Sequence, residues 1–331
     1  MFIDSLSPPN VLRACSNTML WIFATISFVL FSNVYGSESN PRFHFVWQAC
    51  PDGWLEGDWI REVFADVDHD EIVDRKYSVF VDNSIIVVEG SQSEKYLPYF
   101  NSLHAMGYKF GVVVLSDETT TSSTVYYPEV KFVLRNYWRT EYEKYKNVRP
   151  IPLGYARGFW KDCADKTIKP ASERKYNWAF AGEISGDKPT RSAMYQAMMR
   201  VPQGYVHTVS YFYAPDCLPK EQYRTLLLDT IFAPASMGYC SQDTFRIYEA
   251  LESGCIPIVE KFPSDYFANL FGSYPFLSVN SWDEAPVLIN ELLADPVNLE
   301  NLRAKCYQWW LDYKKQLKQD LGTFIEEQMA Q

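Results

Sequence analysis

The stretch from Ile231 to Val259, IFAPASMGYCSQDTFRIYEALESGCIPIV, holds the residues best spaced to do chemistry. It reads strand, loop, helix, strand: Asp243 is placed to cap a helix whose buried face carries Ile247, Ala250 and Leu251, and Gly254 ends that helix before a second strand. Arg246 and Glu249 fall on the opposite, exposed face, three residues apart and so aligned on successive turns, with Arg246 nearer the positive end of the helix. A guanidinium, a helix N-terminus and the backbone N–H groups of the loop from Gly238 to Ser241 together complement the oxygens of a diphosphate. A carboxylate one turn on can accept from both hydroxyls of a ribose. The pair therefore suits a nucleotide sugar. The plainer alternative is an i, i+3 ion pair on a solvated helix face, worth about 0.3 kcal/mol.

Other candidates lie upstream. The backbone from Gly182 to Gly186 follows a strand-like run and can approach phosphates closely, although glycines there also make plain turns. Arg191, opening the next helix, would brace that loop. Asp117 and Glu118 stand at the carboxyl end of another strand, where a carboxylate can act as a general base or simply cap the turn. Arg135 ends the following strand, as a phosphate ligand in the cleft or as an ion-pair partner of Asp117 or Glu118. Asp66-Val67-Asp68-His69-Asp70 contains an Asp-x-Asp pattern that can bind a metal–nucleotide complex, but no long apolar strand leads into it, so an acidic surface turn is expected. With no CxxC pair and four scattered histidines, no metal site is expected.

These residues need elements to position them. From Arg42 onward short apolar runs alternate with amphipathic stretches, the signature of parallel strands joined by helices, so the fold class is α/β. Strands are expected at Phe43 to Trp47, Ser84 to Val88, Phe110 to Leu115, Val130 to Leu134 and near Ile151, with a helix from Leu97 to Met106. A second run has strands at Trp178 to Ala181, Tyr205 to Val209, Ile231 to Pro234, Ile256 to Val259 and Phe276 to Val279. Its helices are expected at Thr190 to Met199, Lys220 to Asp229, Thr244 to Ser253 and Trp282 to Leu293. Between the runs, WKDCADKTIKPASER lacks apolar periodicity. The expected organisation is an N-terminal domain over 37–159, a linker over 160–174, a second domain over 175–297 and helices over 298–331. Two such domains face each other across a cleft at the carboxyl ends of their sheets.

At 331 residues the chain is long enough for two cores, and 31 basic against 41 acidic residues give a net charge of -10, which disfavours nucleic acid as a partner. Met19 to Phe31, MLWIFATISFVLF, reads as a targeting segment. Thirteen residues are short for a membrane span, and Val34 and Gly36 offer a cleavage position before Ser37, so both a cleaved signal and an uncleaved anchor over residues 1–36 fit, with a buried helix as the third option. Six cysteines follow this segment, and their spacing fixes no pairing.

The run Asp243-Thr244-Phe245-Arg246-Ile247-Tyr248-Glu249-Ala250, preceded by F-x-P, a loop and a serine, Ser241, and followed by Gly254-Cys255-Ile256-Pro257, resembles the donor-site signature of the exostosin family of glycosyltransferases. Phe180-Ala181-Gly182 with Arg191 is similar to the first strand and helix of that family's donor domain. Leu115-Ser116-Asp117-Glu118, Phe132 to Trp138 and Ile151 to Tyr155 resemble its ribitol-phosphate xylosyltransferase-like branch. The resemblance spans about residues 110 to 260, and residues 40 to 100 carry no comparable motif. It implies a GT-B architecture of two Rossmann-like domains facing a central cleft, with a helical C-terminal segment, the donor on the C-terminal domain, and inverting transfer without a metal. The donor site would use Gly182, Arg191, Ser241, Arg246 and Glu249, and the base would be Asp117 or Glu118. No cofactor is implied beyond the nucleotide sugar as co-substrate. The acceptor would be a glycan or glycoprotein, the sugar is open with xylose among the candidates, and homo- or hetero-oligomers are both compatible. Location in the secretory pathway follows, as a type II Golgi membrane protein or in the lumen. The alternatives are a non-catalytic partner of another transferase and a nucleotide-sugar hydrolase or epimerase on the same fold.

Overall fold

The computed structural model describes residues 42–331 except 50, 162, 164, 165, 185–187 and 189. The apolar segment Met19 to Phe31 and the expected cleavage position lie outside the described residues, and so do Ser185 and Gly186 of the Gly182 to Gly186 backbone. From Pro41 onward the chain forms one compact unit.

Its first sheet is six-stranded: β1 (Phe43–Trp47), β2 (His69–Val73), β3 (Ser84–Glu89), β4 (Phe110–Leu115), β5 (Val133–Arg135) and β6 (Val148–Pro150) run in the order β2-β1-β3-β4-β5-β6, with every pairing parallel. β4, FGVVVL, is buried along its whole length, which is the run a parallel strand needs when both faces are covered. Helices α1 (Gly57–Val63) and α2 (Leu97–Ala105) belong to this half. The second sheet is five-stranded and also parallel: β7 (Tyr176–Glu183), β8 (Gly204–Val209), β9 (Thr230–Pro234), β10 (Ile256–Glu260) and β11 (Leu277–Val279), in the order β11-β10-β9-β7-β8. It carries α3 (Arg191–Met198), α4 (Lys220–Leu228), α5 (Phe245–Glu252), α6 (Tyr266–Phe271) and α7 (Ala285–Ala294).

Each sheet has one place where the winding reverses. β1 lies between β2 and β3, and β7 lies between β8 and β9. Loops leaving such strands diverge and open a crevice at the carboxyl ends, the usual ligand position in doubly wound sheets.

The last helix, α8 (Pro296–Ala330), ties the halves together. Its Trp310 stacks on Trp59 of α1 with ring centroids 5.6 Å apart and lies 5.5 Å from Tyr248 of α5. Lys314 bridges Glu62 of α1 and Glu252 of α5. Farther on, Phe324 meets Phe132 edge-on, and Lys109 donates to the Met329 carbonyl at 2.9 Å. The chain crossing between the sheets passes Gly154, whose φ is +72° and where a Cβ would sit 2.1 Å from the Trp59 ring. Only glycine fits there.

Among the α-helices and strands, α1, β2 and the six-residue α6 had no counterpart in the sequence reading. α1 is a seven-residue helix, GDWIREV, too short to show a period, and β2, HDEIV, is a mostly exposed edge strand whose charges suit an edge and hide its strand pattern. The acidic run at Asp66 to Asp70 leads into it: His69 and Asp70 open β2, and Asp70 accepts from His44 of β1 at 2.8 Å.

Candidate functional site

A cleft of about 450 Å³ opens between the loops after β4 and β5 on one side and the loops after β9 and β10 on the other, with Glu118, Tyr137 and Arg139 facing Ser241, Gln242 and Ser264. On the second-domain side the loop after β9 is closed by Gly238 N–H to the Ser241 carbonyl at 2.7 Å and by Asp243 N–H to the Ser241 hydroxyl at 3.1 Å. That leaves the N–H groups of Tyr239 and Cys240 aimed at one point. The loop is buttressed by Arg191, 7% exposed, which donates from Nε to the Met237 carbonyl at 3.3 Å and from Nη1 to the Glu183 carbonyl at 2.9 Å. Arg191 thus holds two loop backbones in place.

Arg246 reaches from the first turn of α5 to the end of β7. Its Nη2 donates to the Ala181 carbonyl at 2.9 Å, its guanidinium lies 4.5 Å over the Phe180 ring, and its Nε is buried with no partner among the described residues. Gly182 makes room for it: φ there is +148°, and a Cβ would meet Nη2 at 2.9 Å.

Glu249 is not on an exposed face, as expected from the helical period, but buried at 7% exposure. The crossing segment covers it, and its Oε1 accepts the Ala156 N–H at 3.3 Å. Burial raises its carboxyl to about 7 against the opposing pull of Arg246, the Ala156 N–H, the Tyr223 hydroxyl and Lys220. Asp243 is not the helix cap either. Thr244 holds the cap position without a side-chain bond, while Asp243 turns inward and accepts from the Tyr248 hydroxyl at 2.5 Å and the Tyr266 hydroxyl at 2.9 Å. Burial raises Asp243 to about 6.

On the first-domain side the expected cleft residues divide. Asp117 and Arg135 are fully buried and paired at 2.8 Å. Asp117 also accepts from the N–H groups of Thr121 and Ser122. Arg135 spends its donors on Asp117, Ser122, Tyr127 and the Asn136 carbonyl and stacks over Tyr142. The ion-pair alternative describes Arg135, whose donors are taken within the fold, and Asp117 caps the turn that follows β4. Glu118 does face the cleft, but its Oε1 accepts the N–H groups of Tyr239 at 2.6 Å and Cys240 at 3.1 Å. It fills the anion seat of the other domain.

One carboxylate escaped the sequence reading. Glu56 precedes α1 in the loop after β1, is 2% exposed, and accepts from the Ser116 hydroxyl at 2.8 Å and Asn136 Nδ2 at 3.3 Å. Nothing in WLEGDW flags it, because the residues it meets are 60 and 80 positions away. No group of three or more His, Cys, Asp or Glu side chains among the described residues is arranged to hold a metal ion, and no helix of the described residues is long and apolar enough to cross a membrane.

Comparison with known proteins places the fold and the family. Among solved structures, an α1,3-fucosyltransferase superposes with a TM-score of 0.50 at 13% identity, covering 86% of this chain and 92% of that one. Anabaena Alr3699/HepE, solved in complex with UDP and glucose, gives 0.51 at 9% identity, covering 86% and 100%. At such identities the likeness establishes the fold, which is GT-B. No curated protein matches in sequence. The family described as RXYLT1 C-terminal domain matches residues 157–330, just over half of the chain. The chain therefore belongs to that family, as a glycosyltransferase of the ribitol-phosphate xylosyltransferase-like branch of the exostosin-like enzymes.

Proposed function

We propose that this protein is an inverting, metal-independent glycosyltransferase that holds a nucleotide-sugar donor on its second domain and passes the sugar to a glycan or glycoprotein acceptor entering from the first. One observation carries the donor assignment: the loop after β9 presents two backbone N–H groups that already hold a carboxylate, directly ahead of the helix bearing Arg246 and Glu249. An anion seat of this kind takes phosphate by the same hydrogen bonds. The diphosphate would lie there, with Arg246 supplying positive charge to the leaving group as the glycosidic bond breaks. Glu249 would accept from the ribose hydroxyls. Arg191, Ser241 and Gly182 position these groups rather than touch the reacting atoms. Xylose is the first sugar to test, on the strength of the family. Residence in the secretory pathway, in the Golgi membrane or lumen, is the matching compartment, supported by the apolar segment Met19 to Phe31.

The test is a thermal-unfolding screen of the protein from Ser37 onward against a panel of nucleotide sugars and free nucleotides. A ligand bound only by the folded state at a hundredfold excess over Kd adds about 2.7 kcal/mol. Selective stabilisation by one nucleotide sugar and its nucleotide is expected; an unmoved transition across the whole panel removes the donor assignment. Nucleotide released at equal rates with and without acceptors would point to a hydrolase instead.

A further inference from the structure

We infer that Glu56 is the general base of the transfer, taking the proton of the acceptor hydroxyl on its Oε2; this rests on the transferase reading above. The placement comes from topology. Glu56 leaves the sheet after β1, where the first sheet reverses its winding, and meets the residues that follow β4 and β5, Ser116 and Asn136. Three strand ends of the acceptor-side domain therefore converge on one carboxylate.

Its bonding is incomplete on one side only. Oε1 is saturated by Ser116 and Asn136, whereas Oε2 is buried without a partner, and so is Asn136 Oδ1 beside it. A buried carboxylate oxygen without a donor is costly. A hydroxyl donating to Oε2, with a second donating to Asn136 Oδ1, would satisfy both atoms. A sugar or polyol acceptor offers such a pair.

Asp117 is committed to Arg135, Glu118 to the Tyr239 and Cys240 amides, and Glu141, which also lines the cleft, pairs with Arg139. Burial raises the Glu56 carboxyl above its ordinary value, which strengthens it as a base. The ionisable groups around it are Tyr137 after β5 and Tyr213 after β8, with Arg157 of the crossing segment beside Tyr213. In the step itself the acceptor O–H bond breaks and its proton goes to Oε2. The acceptor oxygen then bonds to the anomeric carbon as the bond from that carbon to the diphosphate oxygen breaks. The electron pair leaves on the diphosphate, and the proton later passes from Glu56 to solvent.

The experiment compares wild type with Glu56→Gln and Glu56→Asp. The donor is the nucleotide sugar identified by unfolding, and the acceptor is a mixture of ribitol phosphate with simple pentosides and hexosides. Nucleotide release should fall by about 10²- to 10⁴-fold in Glu56→Gln. Donor affinity should stay within about twofold of wild type and the unfolding temperature should not drop, since a buried charge has been removed. The acid limb of the wild-type pH profile should vanish in Glu56→Gln and persist, with part of the rate, in Glu56→Asp. Turnover by Glu56→Gln within about tenfold of wild type overturns the assignment, as does a loss that follows weakened donor binding or unfolding in both variants. A wild type that binds no nucleotide sugar fails the transferase reading itself.

Discussion

Glu118 Oε1 accepts the backbone N–H of Tyr239 at 2.6 Å, so a carboxylate from the loop after β4 sits in the anion seat of the opposite domain. Gly238 lies against the same oxygen: a Cβ there would be 2.4 Å from it. In the proposed reading a donor phosphate and Glu118 compete for one pair of amides, and donor entry begins by displacing Glu118.

Glu118→Gln should therefore bind the donor more tightly than wild type. Loss of one charge-assisted contact corresponds to about tenfold in affinity. Titration calorimetry with the nucleotide sugar checks it, and weaker binding by the variant would show that Glu118 helps the donor instead.

Glu249 makes donor binding depend on pH. Burial raises its carboxyl to about 7, and ribose hydroxyls favour the ionised acceptor form, so affinity should rise as pH increases through about 7. In Glu249→Gln that rise should be absent. The same shift affects folding with the opposite sign. A raised acid pKa stabilises the fold below the unfolded value of 4.5, and this contribution, roughly 3 kcal/mol, is lost as pH climbs towards about 7. Urea unfolding at pH 5 and pH 8 should show a smaller difference in Glu249→Gln than in wild type.

Breaking the Asp117–Arg135 pair should damage stability rather than chemistry. Both side chains are fully buried, and Arg135→Ala leaves an uncompensated carboxylate, a change worth about 3–5 kcal/mol. Chemical denaturation should show it. A variant as stable as wild type would mean that water reaches the pair and that a cleft role is open again.

Gly182→Ala tests how Arg246 is held. The added methyl meets Nη2 at 2.9 Å in a backbone conformation that favours glycine, so the guanidinium must move away from the β7 end. Donor affinity should drop by about tenfold with the fold retained, as read by calorimetry and circular dichroism.

The fold was legible wherever burial wrote itself into consecutive residues. β4 runs over the expected residues because a strand covered on both faces is an uninterrupted apolar run, β1 does so with one polar interruption at His44, and α5 could be read from its spacing. β2 and α1 were not, since an exposed edge strand and a seven-residue helix carry no period long enough to see. The site was legible by residue type but not by environment. Glu249 was expected to face solvent because its helix leaves that face open, and what buries it is the crossing segment at Ala156, 93 residues away. Asp243 looked like a cap until Tyr248 and Tyr266 claimed it. Glu56 depends wholly on contacts that only the folded sheet creates.

The most direct test of the donor site is hydrogen–deuterium exchange with and without the nucleotide sugar that stabilises the protein. Protection should appear at the amides of Gly238 to Cys240 and in the first turn of α5 around Arg246, while the loop at Glu118 exchanges faster once displaced. Protection confined to other elements, with the loop after β9 unchanged, would contradict the donor assignment.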